Sequence, residues 1–321
     1  MFSFFILVLL LNSLNVCLGA SQKFNNRPII GVLAQEATHK QSLSEISASV
    51  VKFLEASGAR VVPIFINRDY LYYEKMFNYT NGVFFPGGDL TPDQNFLKTG
   101  YARAGKAMFD LAIKANKRGD YYPIWGTCLG LELLSILAAD LKNWLQRCHA
   151  DDDPLKLDFL MNRKHLKRTK MFEHAEDNVI EILASRKVTY NYHDYCLTPA
   201  NFSRSGLDRY FTAISTSTDL RNNTFISAIE ANDYPFYAIH FHPEIVMYEF
   251  VKTPDENRVP HDFRAIYVAQ YFTRFFVNET RKNFHHFPSE REEKLSLIYN
   301  YNPTYTGLEN EREQTYYFPL N

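Results

Sequence analysis

Short apolar segments that run into glycine or helix-like stretches constrain this chain more than any other feature. Pro28 to Leu33, Val61 to Ile64, Gly82 to Phe85 and Tyr122 to Trp125 are apolar almost throughout and too short for helices. Between them, Ile46, Val50, Phe53 and Leu54 recur at helical spacing over Ser44 to Ser57, and Gly58 supplies a C-terminal cap. Further helices are expected over Tyr101 to Lys117 and Leu129 to Ala139. Strands alternating with helices imply a three-layer αβα arrangement around a mostly parallel central sheet. Sites in such sheets form beyond the carboxyl ends of the strands. Pro86-Gly87-Gly88 and Gly126 to Gly130 both fall at such ends.

The second half is less regular. Tyr210 to Ile214, Phe225 to Ile229 and Tyr237 to His240 read as strands, and Phe263 to Val277 as a helix. The polar stretch 142–168 has no assigned role, and its Asp151-Asp152-Asp153-Pro154 cluster reads as a loop. From Lys282 the chain is charged and Tyr-rich, and reads as an irregular surface wrap. No repeat or Pro- or Gly-rich linker appears, so one domain is expected over 21–321.

The apolar run Phe4 to Leu11, followed by small residues at Cys17, Gly19 and Ala20, suits a signal peptide over 1–20. A membrane anchor is the competing reading, against which stand the shortness of the run and its interruption by Asn12 and Asn15. The mature chain is then expected to be lumenal or extracellular, without a membrane span. The sequons at Asn78, Asn201, Asn222 and Asn278 become glycosylation candidates in that setting. With 35 Lys and Arg against 36 Asp and Glu, the formal charge is −1, which gives nucleic-acid binding no electrostatic support.

Once Cys17 leaves with the leader, Cys128, Cys148 and Cys196 remain, an odd number that leaves at least one thiol unpaired. Whether Cys148 and Cys196 pair stays open. Cys128 lies in Ile124-Trp125-Gly126-Thr127-Cys128-Leu129-Gly130, where small residues flank a strand-to-helix turn. Such an elbow lifts a nucleophile clear of the sheet and places it at a helix N-terminus, which favours thiolate. A buried structural cysteine beside a turn glycine is the alternative.

Ala238-Ile239-His240-Phe241-His242-Pro243-Glu244 supplies two histidines at strand spacing. His242 suits a general base and acid for the thiol, with Glu244 orienting it. Zinc ligation by His240 and His242 is the competing reading, but no third ligand at zinc spacing accompanies them, so no metal is expected. The pair Gly87-Gly88 lets backbone N–H groups approach a ligand, and the N–H groups of Gly88 and Leu129 suit an oxyanion hole. A Cys128–His242 ion pair is expected to hold the thiol below its ordinary titration range.

Together, in this order, the three strings resemble the class I glutamine amidotransferase superfamily and, more narrowly, the γ-glutamyl hydrolases. The resemblance extends to Arg27 to Leu33, Glu55 to Pro63, Phe84 to Gly88, Tyr121 to Gly130, His242 to Glu244, Phe275 to Glu279 and Pro303 to Gly307. It implies a cysteine hydrolase acting on the poly-γ-glutamate tails of folates, secreted or lysosomal, dimeric and without a cofactor. It also implies that Cys128, His242 and Glu244 are catalytic and that His193 lies near the site. Amidotransferases commonly carry Gln four residues after the nucleophile, where this chain has Glu132, as the γ-glutamyl hydrolases do. A carboxylate there is expected to accept a substrate ammonium. A glutaminase that feeds a synthetase, and a secreted binder without catalysis, are the alternatives. The leader, the sequons and Glu132 oppose the first, and the intact Cys128, His242 and Glu244 set opposes the second.

Overall fold

A computed structural model describes residues 23–250 and 258–320. The expected leader at 1–20, Cys17 included, lies outside them. The strands in chain order are β1 Ile29–Leu33, β2 Gln35–Glu36, β3 Leu43–Ser47, β4 Arg60–Ile64, β5 Val83–Phe85 and β6 Ile124–Thr127. They continue with β7 Gln146–Leu155, β8 Asp158–Phe159, β9 Thr189–Cys196, β10 Phe211–Thr218, β11 Thr224–Ala231, β12 Phe236–Ile239, β13 Thr304–Tyr305 and β14 Gln314–Pro319.

The central sheet has eight strands in the order β4-β1-β5-β6-β12-β11-β10-β8. From β4 through β12 the pairings are parallel, and β11, β10 and β8 add antiparallel pairs at one side. The parallel strands are buried on both faces, which is why they read as continuous apolar runs. Side-chain alternation along β6 shows the two covering layers. Trp125 packs against Phe272, Phe275 and Phe276 of the helix Phe263–Thr280. The next residue, Gly126, meets Gly130 and Leu134 of the helix Leu129–Ala138 instead. The fold is therefore α/β, three-layered, around a large and mostly parallel sheet.

Three readings of the sequence are corrected. The segment expected to be helical from Ser44 begins as β3, and the helix starts only at Ala48. Its first residues pair with β2 and β14, partners invisible to local periodicity. The acidic cluster 151–154 is not a loop but part of β7, which pairs with β9. Two register shifts in that pairing, and a positive φ at Asp152, break the alternation that marks a strand. The tail is not an irregular wrap: it forms the helix Glu290–Ser296, capped by Ser289, and strands β13 and β14. With β3 and β2 these form a second, antiparallel sheet in the order β13-β14-β3-β2.

The candidate active site

β5, β6 and β12 are neighbours in the sheet, so segments far apart in the chain end side by side. The register places Phe85 opposite Gly126 and Ile239 opposite Thr127. Beyond these pairs the chain continues as Pro86-Gly87-Gly88, Cys128 and His240 to Glu244. The Cys128 N–H donates to Ile239 O at 2.9 Å, tying the elbow to β12.

Cys128 has φ 52° and ψ −110°, a conformation seldom held by a residue with a side chain. The turn is possible because its flanking glycines are in close contact. A Cβ on Gly130 would lie 2.1 Å from Phe85 O, and one on Gly126 would lie 2.7 Å from Gly130 C. The Gly87-Gly88 pair is equally confined. A Cβ on Gly87 would fall 2.6 Å from His242 Cε1 and 3.2 Å from Cys128 Cβ. These two contacts also place the histidine and the cysteine against one point. A Cβ on Gly88 would fall 1.6 Å from Gln35 Oε1.

His242 Nδ1 lies 2.7 Å from Glu244 Oε1, and both residues are buried. A carboxylate only accepts, so Nδ1 carries the hydrogen, and in the neutral ring Nε2 then presents its lone pair. Nε2 has no hydrogen-bond partner among the described residues. The His242 N–H donates to Tyr190 O at 2.8 Å, which holds the backbone of the histidine to β9.

Cys128 is the free cysteine among the described residues, because Cys148 and Cys196 form a disulfide with Cα atoms 5.8 Å apart. Its thiol contradicts one expectation. Burial, and secondarily the Glu132 charge, push the Cys128 thiol well above its ordinary range, while the Leu129 N–H pulls the other way. Desolvation of the anion outweighs the helix N-terminus here, so the resting group is a neutral thiol rather than a preformed thiolate.

Two cavities meet at Cys128. One, of about 410 Å³, is lined by Gly87, Gly88, Asp89, Tyr190, Tyr192, His242, Glu244, Glu249, Glu311 and Arg312 among others. The second, of about 200 Å³, is lined by Gly88, Leu129, Glu132, Arg147, Tyr192 and His193 among others. Gly88, Asp89, Cys128 and Tyr192 are common to both. Glu132 is buried and shares the smaller cavity with Cys128, with Oε1 3.3 Å from His240 Nε2. Burial, with the neighbouring histidines second, drives the His193 pKa well below the ordinary histidine value, so its ring is neutral. Cys148, His193 and Cys196 bring potential ligand atoms together, but the two sulfurs bond each other.

Several residues of this cleft have no signal in the motifs. Gln35 follows β1 and donates Nε2–H to Gly87 O at 2.8 Å, bracing the glycine pair. Its position, a lone amide at the end of an apolar strand, is the one local hint. Tyr192 O lies 3.8 Å from Cys128 Sγ. Arg312 reaches the cleft from the tail and bonds Glu45 at 2.7 Å and Asp89 at 3.1 Å. Of the sequons, Asn78, Asn222 and Asn278 are exposed, whereas Asn201 is half-buried and donates its side-chain amide to Trp144 O at 2.9 Å. No helix among the described residues is long and apolar enough to cross a membrane.

This geometry belongs to a recognised class. The family described as Peptidase C26 matches residues 28–244, which take in the elbow, the glycine pair and the His242–Glu244 string. The chain is 38% identical to gamma-glutamyl hydrolase B of Dictyostelium discoideum, over 99% of this chain and 89% of that one. It is 37% identical to the gamma-glutamyl hydrolases of Rattus norvegicus (94% of this chain, 92% of that one) and Homo sapiens (91% and 90%). The chain belongs to the γ-glutamyl hydrolase family. Among solved structures, a putative GMP synthase component from Thermoplasma acidophilum has a TM-score of 0.46 at 15% identity, over 84% of this chain and 98% of that one.

Proposed function

We propose that this chain hydrolyses the γ-glutamyl bonds of folate poly-γ-glutamates through a thioester on Cys128. The observation that carries the reading is the strained Cys128 elbow set against the same point as the Glu244-oriented His242. Because the resting thiol is neutral, His242 Nε2 removes its proton as Sγ attacks the γ-carbonyl carbon. The N–H groups of Gly88 and Leu129 hold the oxyanion. The C–N bond breaks, and His242 returns the proton to the leaving amine. Water, deprotonated by the same nitrogen, then attacks the thioester and releases a γ-carboxylate and the thiol. Glu244 keeps the ring oriented in both halves of the cycle.

The two cavities suit the two sides of the scissile bond. The smaller, with Glu132, takes the γ-glutamyl acyl group, and the larger takes the leaving portion. In a folate poly-γ-glutamate every α-nitrogen is already acylated. Glu132 therefore accepts from an amide N–H in that substrate, and from an ammonium only in a terminal γ-glutamyl group. His193 acts from beneath the cleft as support.

The reading includes a leader at 1–20, a working domain over 21–321, export to the lysosome or cell exterior, and a homodimer. Glycosylation is expected at Asn78, Asn222 and Asn278 ahead of Asn201, whose amide is already committed. Purified protein offered a folate poly-γ-glutamate, an α-linked glutamate peptide and glutamine tests the reading. Release of γ-linked products alone supports it. Turnover of glutamine alone points to a glutaminase, and inertness toward all three to a binder.

A further inference from the structure

His240 is fully buried, two residues before His242, and the chemistry above gives it no task. Its ring lies flat on His193, with centroids 3.7 Å apart and planes at 4°. Its Nε2 is 3.3 Å from Glu132 Oε1, the one side-chain hydrogen bond that carboxylate makes among the described residues. Its Nδ1 is buried without a partner. Backbone bonding fixes the ring's origin, since the His240 N–H donates to Ser227 O at 2.8 Å. His193 is held in turn, with Nδ1 3.5 Å from the sulfurs of both Cys148 and Cys196, and Nε2 3.3 Å from Asn191 Oδ1. A continuous column thus runs from the disulfide through two stacked imidazoles to the carboxylate beside the nucleophile.

A buried carboxylate with one partner is oriented by that partner. We propose that His240 is a positioning residue for substrate selection. By donating Nε2–H to Oε1 it fixes the Glu132 carboxylate in the smaller cavity and leaves Oε2 to accept the α-nitrogen hydrogen of the γ-glutamyl acyl group. The inference rests on the reading of that cavity as the acyl site. It assigns selectivity to a residue that touches neither the substrate nor the reacting atoms.

The test compares wild type, His240→Leu, His240→Asn and His240→Gln on two substrates. One carries a γ-glutamyl acyl group, and the other a glutaryl group, which keeps the carboxylate and lacks only the α-nitrogen. Leu offers no donor, Asn is too short to span to Glu132, and Gln carries an amide donor at about the reach of the lost Nε2. Leu and Asn should raise KM for the γ-glutamyl substrate about tenfold, the scale of one hydrogen bond to a charged group, with kcat changed much less. The glutaryl substrate should respond little, and Gln should restore most of the preference. Should Leu fail to fold, Asn carries the comparison. Equal KM values and equal preference in wild type and Asn overturn the proposal, as does a loss of kcat on both substrates alike. A wild type that cleaves no γ-glutamyl substrate removes the functional reading itself, an outcome distinct from an active, selective wild type whose variants match it.

Discussion

Cys128 holds a left-handed φ that costs on the order of 1–3 kcal/mol, and the surrounding close contacts enforce it. What this strain gains is exposure of Sγ to two cavities at once. Cys128→Ala should remove hydrolysis by several orders of magnitude, because no other group in the cleft can form the thioester, while the melting temperature stays near wild type. Turnover equal to wild type in a folded variant would rule out the thioester route. The neutral thiol makes a second prediction. A thiol whose pKa is raised on folding stays protonated until the pH passes above the ordinary cysteine range of about 8.5. Alkylation of Cys128 by iodoacetamide should therefore be slow through acidic and neutral pH and climb only in alkali. Fast alkylation on a plateau at acidic pH would instead reveal a preformed thiolate–imidazolium pair. Cys128, His242, Glu244 and the glycine pair were legible in the sequence, because each needs a distinctive neighbour: small residues around a turn, or a carboxylate two residues on. The direction of the thiol's titration was not legible, since it depends on burial by segments far along the chain.

The two-stranded β7–β9 sheet is the element that encloses the cleft. It supplies Tyr190 and Tyr192 to the larger cavity and Tyr192 and His193 to the smaller. Its strands are cross-linked by Cys148 and Cys196, 48 residues apart. Removing both cysteines should lower stability by about 2–4 kcal/mol, the typical range for a disulfide, with chain entropy for a loop of this size setting the upper end. Most turnover should persist, because Cys128 and His242 are carried by other elements. Urea denaturation read beside kcat/KM checks both halves, and unchanged midpoints would show that the cross-link adds nothing. This strand pair also marks where element-level reading fails. Its acidic stretch resembles a loop because its register shifts interrupt the alternation and its partner lies beyond strand β8 and two helices, Arg163–Leu166 and Asp177–Ser185.

Over the whole molecule, the C-terminal segment closes the structure back on its beginning. β14 pairs with β3 through five residues, from Thr315 opposite Ser47 to Pro319 opposite Leu43. Phe318 is buried against Phe65 and Tyr301, with centroids 5.2 and 5.0 Å away. A few residues earlier, Arg312 bonds Glu45 and Asp89, and Glu311 accepts from the Tyr192 hydroxyl at 2.8 Å. The tail thus ties the second sheet to the loop after Gly88 and to the β7–β9 pair. Phe318→Ala should cost about 3–5 kcal/mol by opening a cavity, and should raise KM as Glu311 and Arg312 lose their footing. Denaturation and steady-state kinetics measure the two effects. A loss of stability with KM unchanged would separate the tail from the cleft.

The sequence by itself determined the class of fold, the parallel half of the sheet and the strand-to-helix turn at Cys128. All three rest on local physics: apolar runs buried on both faces, glycines where chains touch, and a strand that must turn sharply into a helix. Only the tertiary structure decided which strands are neighbours, and hence that segments ending at Phe85, Thr127 and Ile239 open onto one point. It alone decided that β3 is a strand, that the tail belongs to a sheet, that His240 meets Glu132, that Gln35 braces Gly87, and that Arg312 reaches the cleft. Each of those outcomes is a pairing or a desolvation set by residues distant in sequence, and no local pattern encodes which distant residue will arrive.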